Sequence, residues 1–360
     1  MKKIFTLVIC LFLLTGCFNY VEINNIVLVS GIGINYINNE YKISFELLDH
    51  SKGKSESNVE SGILKIGQGK TIPEAFDDIS LKLEKEPYLA HLKVVVISEE
   101  IAKKHMNDLF DFFLRNNDIR NIFTVVISKN ASPEEVLSKT NEYYKVSSER
   151  IKSLLDNNIY SSYISKNKYF KNIASNFLSG KKNITLSTII IDNDELKLGN
   201  IGVFNKNKLV DYLSNDEALI LSLIDNKKTL SEFKYECEKD KYIVIRAYKS
   251  NTNFKIKENI FKIKNNINAE IIENSCNYNL ENIKLQKELE KTFEKIINDK
   301  VYDLISHLKI INSDILGINN KYYINFKKKK KDYFKNTNYK IETNININKK
   351  GLIFEVKNDK

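Results

Sequence analysis

Leu92-Lys93-Val94-Val95-Val96-Ile97-Ser98 is the stretch that decides the fold class. It is too short for a helix, rich in β-branched residues, and apolar at both parities. A strand with apolar side chains on both sides is expected at the centre of a sheet covered on both faces. Working outward, Ser98 can cap a helix, and Ile101, His105, Leu109 and Phe112-Phe113 recur at helical spacing. A second strand follows at Ile122 to Ser128. Ser132-Pro133-Glu134-Glu135 then opens another helix, with proline in its first turn. Upstream, Thr71 and Glu74 have capping-box spacing, Pro73 fits a first turn, and Ala75, Ile79 and Leu83 supply an apolar stripe. Further upstream, Ile26 to Ile34 is an apolar run and Tyr41 to Leu47 alternates with period two. Asn38-Asn39-Glu40 is placed to turn between them. Residues 51–61 are small and polar and read as a loop. Alternating strands and helices imply an α/β layer, assigned to an N-terminal domain, 17–135.

Residues 136–185 read as helical and polar, anchored by Leu154, Leu155, Ile159, Tyr163 and Phe170. Ser179-Gly180-Lys181-Lys182 breaks that pattern, and Thr188 to Asp192 and Gly199 to Phe204 read as short strands. This defines a middle domain, 136–225. The last third holds strands at 232–237, 241–248 and 260–272; in the third, Phe261, Ile263, Ile267, Ala269 and Ile271 share one parity. A long helix at 280–309 carries Leu289, Phe293, Ile296-Ile297, Val301, Leu304 and Leu308 as one stripe, expected to lie on its own sheet. Tyr339, Ile341, Thr343, Ile345 and Ile347 alternate with polar residues. Asn348-Lys349-Lys350-Gly351 turns and Leu352 to Val356 returns, which reads as a terminal β-hairpin. These form a C-terminal domain, 226–360. The expected fold class is α/β (α+β), three mixed domains with β-sheets packed against helices. Lys327 to Lys331 is a run of five lysines, read first as a solvated segment and second as a contact for anionic lipid or an acidic protein face.

The N-terminus carries a different signal. Met1-Lys2-Lys3 precedes an apolar run from Ile4 to Leu14, which has about half the ~20 residues a spanning helix needs. Leu14-Thr15-Gly16-Cys17 then matches a bacterial lipobox. Together these read as a secretory signal, residues 1–16, cleaved between Gly16 and Cys17, with a diacylglyceryl group on the Cys17 thiol. Two acyl chains anchor stably where one does so only marginally. The 360 residues carry 56 Lys plus Arg against 46 Asp plus Glu, a net charge of +10; loss of Lys2 and Lys3 lowers it by two. An export signal argues against nucleic acid as the partner of this basic chain. Cys10 leaves with the signal and Cys17 takes lipid. Cys237 and Cys276 remain, and export permits a disulfide between them without requiring one.

No catalytic constellation stands out. His50, His91, His105 and His307 fit no metal-binding motif, no metal or other cofactor is implied, and no nucleophile elbow occurs. Gly67-Gln68-Gly69-Lys70-Thr71 resembles the end of a P-loop, but Leu64 stands where the entry glycine belongs. Asp77-Asp78 and Glu134-Glu135 read as surface carboxylates at helix openings. His91 reads as a hydrogen-bonded structural histidine.

Several segments together resemble the Ger(x)C lipoproteins, the C subunits of bacterial spore germinant receptors. They are Cys17-Phe18-Asn19-Tyr20-Val21-Glu22-Ile23, Val29-Ser30-Gly31-Ile32-Gly33-Ile34, Ala90 to Ile97, Leu114-Arg115-Asn116-Asn117-Asp118-Ile119-Arg120, Gly202-Val203-Phe204 with Leu209-Val210, and Asp314-Ile315-Leu316-Gly317. Phe18 and Asn19 replace the family's usual Trp and Asp, and Tyr333 and Phe334 stand where tryptophans are usual. The resemblance implies three α/β domains on a lipid anchor at the outer face of the spore inner membrane. It implies assembly with membrane-embedded A and B subunits, and a scaffold or coupling role in nutrient-triggered germination without catalysis. It places Asp118 and Arg120 in structural ion pairs. The alternatives are a solute-binding lipoprotein serving a transporter and, less favoured, an envelope enzyme.

Overall fold

A computed structural model describes residues 23–49, 61–157, 162–166, 168–225, 231–257, 259–330 and 332–349. The signal segment, Gly16, Cys17, His50 and Lys331 lie outside them. In chain order the elements are β1 (Ile26–Ile37), β2 (Glu40–Asp49), β3 (Ser61–Gly69), α1 (Ile72–Ser80), β4 (Glu86–Tyr88), β5 (Val94–Ser98), α2 (Met106–Arg115), β6 (Thr124–Ser128), α3 (Pro133–Ser138), α4 (Ser147–Asn157) and α5 (Phe170–Ser179). Then come β7 (Thr185–Asp192), β8 (Glu195–Leu198), β9 (Gly202–Asn205), β10 (Lys208–Tyr212) and α6 (Asn215–Ile224). The chain continues with β11 (Ser231–Glu238), β12 (Lys241–Lys257), β13 (Ile260–Asn274), α7 (Ile283–Ile310), α8 (Ile318–Phe326), α9 (Tyr333–Asn336) and β14 (Asn338–Lys349).

The mixed α+β class expected from the sequence is what the chain adopts, on two sheets. The larger runs β10-β9-β7-β6-β5-β1-β2-β3, with β4 beside β1 and β8 beside β7. Its centre is parallel: β1 pairs β5 from Gly31↔Val94 to Ile34↔Ile97, β5 pairs β6 from Val94↔Thr124, and β6 pairs β7 from Val126↔Ser187. Strand β5 is buried along its whole length because both faces are covered. Val95 and Ile97 enter a core with α1, α2 and α5, while Val94 and Val96 enter another with α3 and α4. The segments expected as N-terminal and middle share this one sheet, since β7 to β10 extend it past β6.

The second sheet runs β11-β12-β13-β14. The odd residues of β13 face inward, as the parity implied, and α7 lays Leu289, Phe293, Ile297, Val301, Leu304 and Leu308 on that face. Asn265 shares this parity and is fully buried. It accepts from Thr252 Oγ1 at 2.9 Å and donates to Thr343 Oγ1 at 3.2 Å, so three strands share one polar rung. Strand β14 pairs β13 in parallel, from Ile260↔Asn338 onward. The return strand of the expected terminal hairpin lies outside the described residues. Cys237 and Cys276, left open by the sequence, are joined in a disulfide with Cα atoms 6.4 Å apart. It ties the end of β11 to the exit of β13.

The Gly67-to-Thr71 segment is structural. Gly67 and Gly69 belong to β3, an edge strand where the sequence had suggested no strand, and Thr71 caps α1 by accepting from the Glu74 N–H at 3.2 Å. A methyl group on Gly67 would fall on the Ala75 carbonyl oxygen, 2.6 Å from Ile79 Cγ1 and 2.9 Å from Ile79 N. Helix α1 can reach the strand only because nothing projects there. Gly67→Ala is therefore expected to cost about 1–3 kcal/mol, read as a lower denaturation midpoint with an unchanged denaturant slope.

Candidate functional site

Strand β9 is the wall between the two halves. Val203 points into the C-terminal core and Phe204 into the N-terminal one. The Phe204 carbonyl accepts from Ser313 Oγ at 2.5 Å, and the Asp314 carbonyl accepts from the Asn183 N–H at 3.0 Å. Two segments that were separate in sequence, Gly202-Val203-Phe204 and Asp314 to Gly317, thus meet at the junction of the sheets.

Asp314 organises this junction. Its carboxylate is buried and accepts from the Ile318 N–H and the Asn319 N–H, both at 2.8 Å, capping the start of α8. Gly317, at φ 66°, sits in the left-handed region that glycine adopts without a Cβ penalty. A side chain on it would also press on Lys181 O and Lys182 Cβ, each 3.3 Å away, in the break after α5. Burial pushes the Asp314 carboxyl up; the two backbone N–H groups and the Lys321 ammonium pull it back without reversing the shift. Lys321 donates to the Leu316 carbonyl, and burial pushes its ammonium down.

A second clamp lies on the other side of α7. Ser214 and Glu217 form a capping box at α6. The same Glu217 carboxylate takes His307 Nδ1 at 2.6 Å, while His307 Nε2 is 3.3 Å from Asp211 Oδ2 on β10. Lys300 pairs with Asp216. Helix α7 is thereby tied to the strand and helix that close the large sheet. Sequence reading registered His307 only as a histidine without a metal motif.

Glu46 is the residue sequence reading missed most clearly. It lies on the polar parity of the alternating strand Tyr41 to Leu47, yet it is 1% exposed because α3 and α4 cover that face. It accepts from the Ser147 N–H at 2.6 Å and the Ser148 N–H at 2.9 Å at the start of α4, and from Ser30 Oγ at 3.2 Å. A Cβ on Gly31 would come within 2.9 Å of Glu46 Oε2, so the glycine leaves space for the carboxylate. Burial pushes this carboxyl up despite those donors.

The Leu114-to-Arg120 segment stands apart from both. Arg115 pairs with Asp111 at 2.7 Å. The ion pairs expected of Asp118 and Arg120 do not form among the described residues. The Asp118 N–H instead donates to Asn116 Oδ1, and the Arg120 carbonyl accepts from the Ile122 N–H, so a turn uses their backbone. Leu114, Arg115 and Asn116 border an open groove of about 970 Å³ shared with Lys70, Ile72 and Phe177. At its rim Tyr41 donates to Asp108 Oδ2 at 2.5 Å, with His105 Nδ1 3.2 Å from the same oxygen. Burial and that carboxylate push the Tyr41 phenol far up, so it is held as a donor. This arrangement orients side chains; it does not activate a nucleophile.

Other residues fall where packing puts them. Asp78 lies inside α1 and takes the Gln68 N–H at 2.9 Å and Lys82 at 2.7 Å, a strand-to-helix link away from the helix opening expected for it. Glu135 completes a capping box with Ser132. His91 is exposed beside the Tyr88 ring, with no side-chain hydrogen bond among the described residues. Tyr333 and Phe334 are core residues, their rings close to Tyr322 and Tyr339. Among the described residues no group of three or more His, Cys, Asp or Glu could hold a metal ion.

Residues 19–191 match the family described as spore germination protein N-terminal domain, and residues 199–351 match the one described as spore germination B3/GerAC like, C-terminal. The chain belongs to the GerAC-like spore germination family. The first match ends in β7 and the second begins between β8 and β9, just before the junction strand. GerAC-like relatives are diverse. Spore germination protein GerQC of Bacillus cereus is 26% identical over 236 residues, covering 64% of this chain and 65% of that one. The chain thus spans about two-thirds of GerQC. A putative spore germination protein of Bacillus subtilis, YfkR, is 21% identical over 348 residues, 88% of this chain and 86% of its own. The crystal structure of the GerBC protein superposes with a TM-score of 0.58 at 20% identity, covering 88% of this chain and 97% of that one, which establishes a shared fold.

Asp314→Asn keeps one acceptor oxygen and abandons one backbone N–H. It is expected to cost about 1–3 kcal/mol. Because the folded-state pKa is raised, the wild-type Asp314 contributes most below the ordinary carboxylate value and loses that contribution as pH rises toward the folded value. The gap between wild type and Asp314→Asn should therefore narrow as pH rises from about 4, measured by denaturant melts at several pH values.

Proposed function

We propose that this chain is the lipid-anchored accessory (C) subunit of a spore nutrient germinant receptor, acting with membrane-embedded A and B subunits at the outer face of the spore inner membrane. The observation that carries the reading is one of adjacency. Family matches over residues 19–191 and 199–351 begin two residues after a Leu14-Thr15-Gly16-Cys17 lipobox. Cys17 takes the diacylglyceryl group on this reading, and cleavage after Gly16 exposes it. Among the described residues no helix is long and apolar enough to cross a membrane, so a tether supplies what the helices do not. The clamped junction favours a body that transmits contacts between partners as one piece, and the role is one of scaffold and coupling, not catalysis.

Cys17→Ala is expected to abolish radiolabelled lipid incorporation and release the protein from the spore membrane fraction. Deleting the gene should block nutrient germination while triggers that bypass receptors, such as a calcium chelate or pressure, still work. Intact nutrient response in a strain without redundant receptors would overturn the assignment.

The groove beside Tyr41 and Arg115 is the observation that favours a second reading, a solute-binding lipoprotein of a transporter. Its open form suits docking of a partner better than enclosure of a nutrient. Titration calorimetry of the protein with amino acids and sugars is expected to show no saturable heat; a micromolar site would favour the second reading.

A further inference from the structure

The far end of the C-terminal sheet carries a surface with its own chemistry. Beyond Ala247, β12 pairs among the described residues with β13 alone, from Lys249 to Lys257. Helix α8 lies alongside, and Thr252, Phe254 and Ile256 share a groove with Lys321 and Ile324. Lys321 Nζ sits 4.7 Å from the centre of the Phe254 ring. Residues 323–330 are all exposed. Within them Tyr323 (45%), Ile324 (57%) and Phe326 (37%) are large apolar groups, and Ile260 (45%) adds another at the start of β13.

The lysines begin where that apolar turn ends. Lys327 takes a left-handed backbone, φ 54°, and its N–H closes the helix on the Tyr323 carbonyl at 2.7 Å. Lys328, Lys329 and Lys330 follow. Lys330 Nζ donates to Asn259 Oδ1 at 2.8 Å, bringing the run against the β12–β13 turn and its exposed Lys255 and Lys257. The chain has no acidic residue between Asp314 and Asp332. None of Lys255, Lys257 and Lys327 to Lys330 has an ion-pair partner among the described residues.

Six lysines without an ion-pair partner among the described residues, beside four exposed apolar groups, suit a partner that is both negatively charged and partly apolar. Lysine is depleted from protein–protein interfaces, where aromatic residues and arginine dominate. Lysine stems and aromatic rings together are the composition of surfaces that rest in lipid headgroups. We propose that the end of β12, the start of β13, α8 and Lys327 to Lys330 form a membrane-contact surface selective for anionic lipid. This contact is independent of any acyl group on Cys17, and its failure would leave the proposed receptor role untouched.

The test uses the full chain carrying Cys17→Ala and vesicles of phosphatidylcholine alone or with about a third phosphatidylglycerol. Sedimentation should show binding to the anionic vesicles stronger by roughly tenfold or more, falling steeply with added salt. Replacing Lys327, Lys328, Lys329 and Lys330 by Gln should remove most of that preference. Replacing Lys284, Lys287, Lys291 and Lys295 on α7, which are equally exposed, should leave most of it. Ile324→Ser, at an exposed position, should weaken the salt-resistant remainder while leaving the denaturation midpoint close to that of the parent. Equal binding to both vesicle types, or equal loss in the two lysine variants, would overturn the proposal. So would co-purification of an acidic protein abolished by the Lys327–Lys330 variant with vesicle binding unchanged.

Discussion

The large sheet depends on helices approaching it more closely than side chains ordinarily allow. At β3 this closeness is bare: Gly67 lies under the backbone of α1. At β1 it is chemical. Gly31 opens a space that the Glu46 carboxylate fills, and the carboxylate satisfies the first N–H groups of α4. A helix start pressed onto a sheet leaves donors that water cannot reach. A buried acid beneath it is one solution, offsetting its desolvation with charge-assisted hydrogen bonds. The rest of the layer follows, because β5 can be apolar on both sides only if helices cover both faces.

The same device recurs at the junction. Asp314 does for α8 what Glu46 does for α4, again with the carboxyl buried and its affinity for protons raised by burial. In both places removing the acid would strand backbone donors, which costs more than a missing surface charge. The consequence differs. Glu46 fixes a helix within one sheet. Asp314, Ser313 and Asn183 fix one sheet against another, and Val203 and Phe204 place neighbouring side chains of one strand in different cores. Sliding the halves past each other would break both cores along β9.

How much of this could be read from the sequence follows from how local each signal is. Strands β5 and β6, the stripe of α7 and the inward parity of β13 depend on neighbours within a few residues, and they are where the patterns put them. Strand β3 is glycine-rich, lies at an edge and alternates weakly, so its pattern does not announce a strand. Helix α6 is buried around most of its circumference, at Ala218, Ile220, Leu221, Leu223 and Ile224, and so shows no one-sided stripe. The parallel pairing of β14 with β13 spans a long crossover that strand periodicity does not record. Burial of Glu46 goes unsignalled for a related reason. Alternation says which residues face away from one core; it cannot say that a second core waits on the other side.

A rigid joint also bears on what such a chain can do. A hinged binding protein works by leaving its halves few contacts, so that closure on a ligand costs little. Here the halves share a strand, a buried acid and the His307 clamp, and α7 is tied to the closing edge of the large sheet. A body built this way changes shape little when it meets a partner. It can carry displacement from one contact surface to another, because the packed core between them does not absorb it. The groove at Tyr41 and the lysine-rich end of the C-terminal sheet lie in different halves of the molecule, on opposite sides of β9 in the chain. The strand between them is shared by both cores.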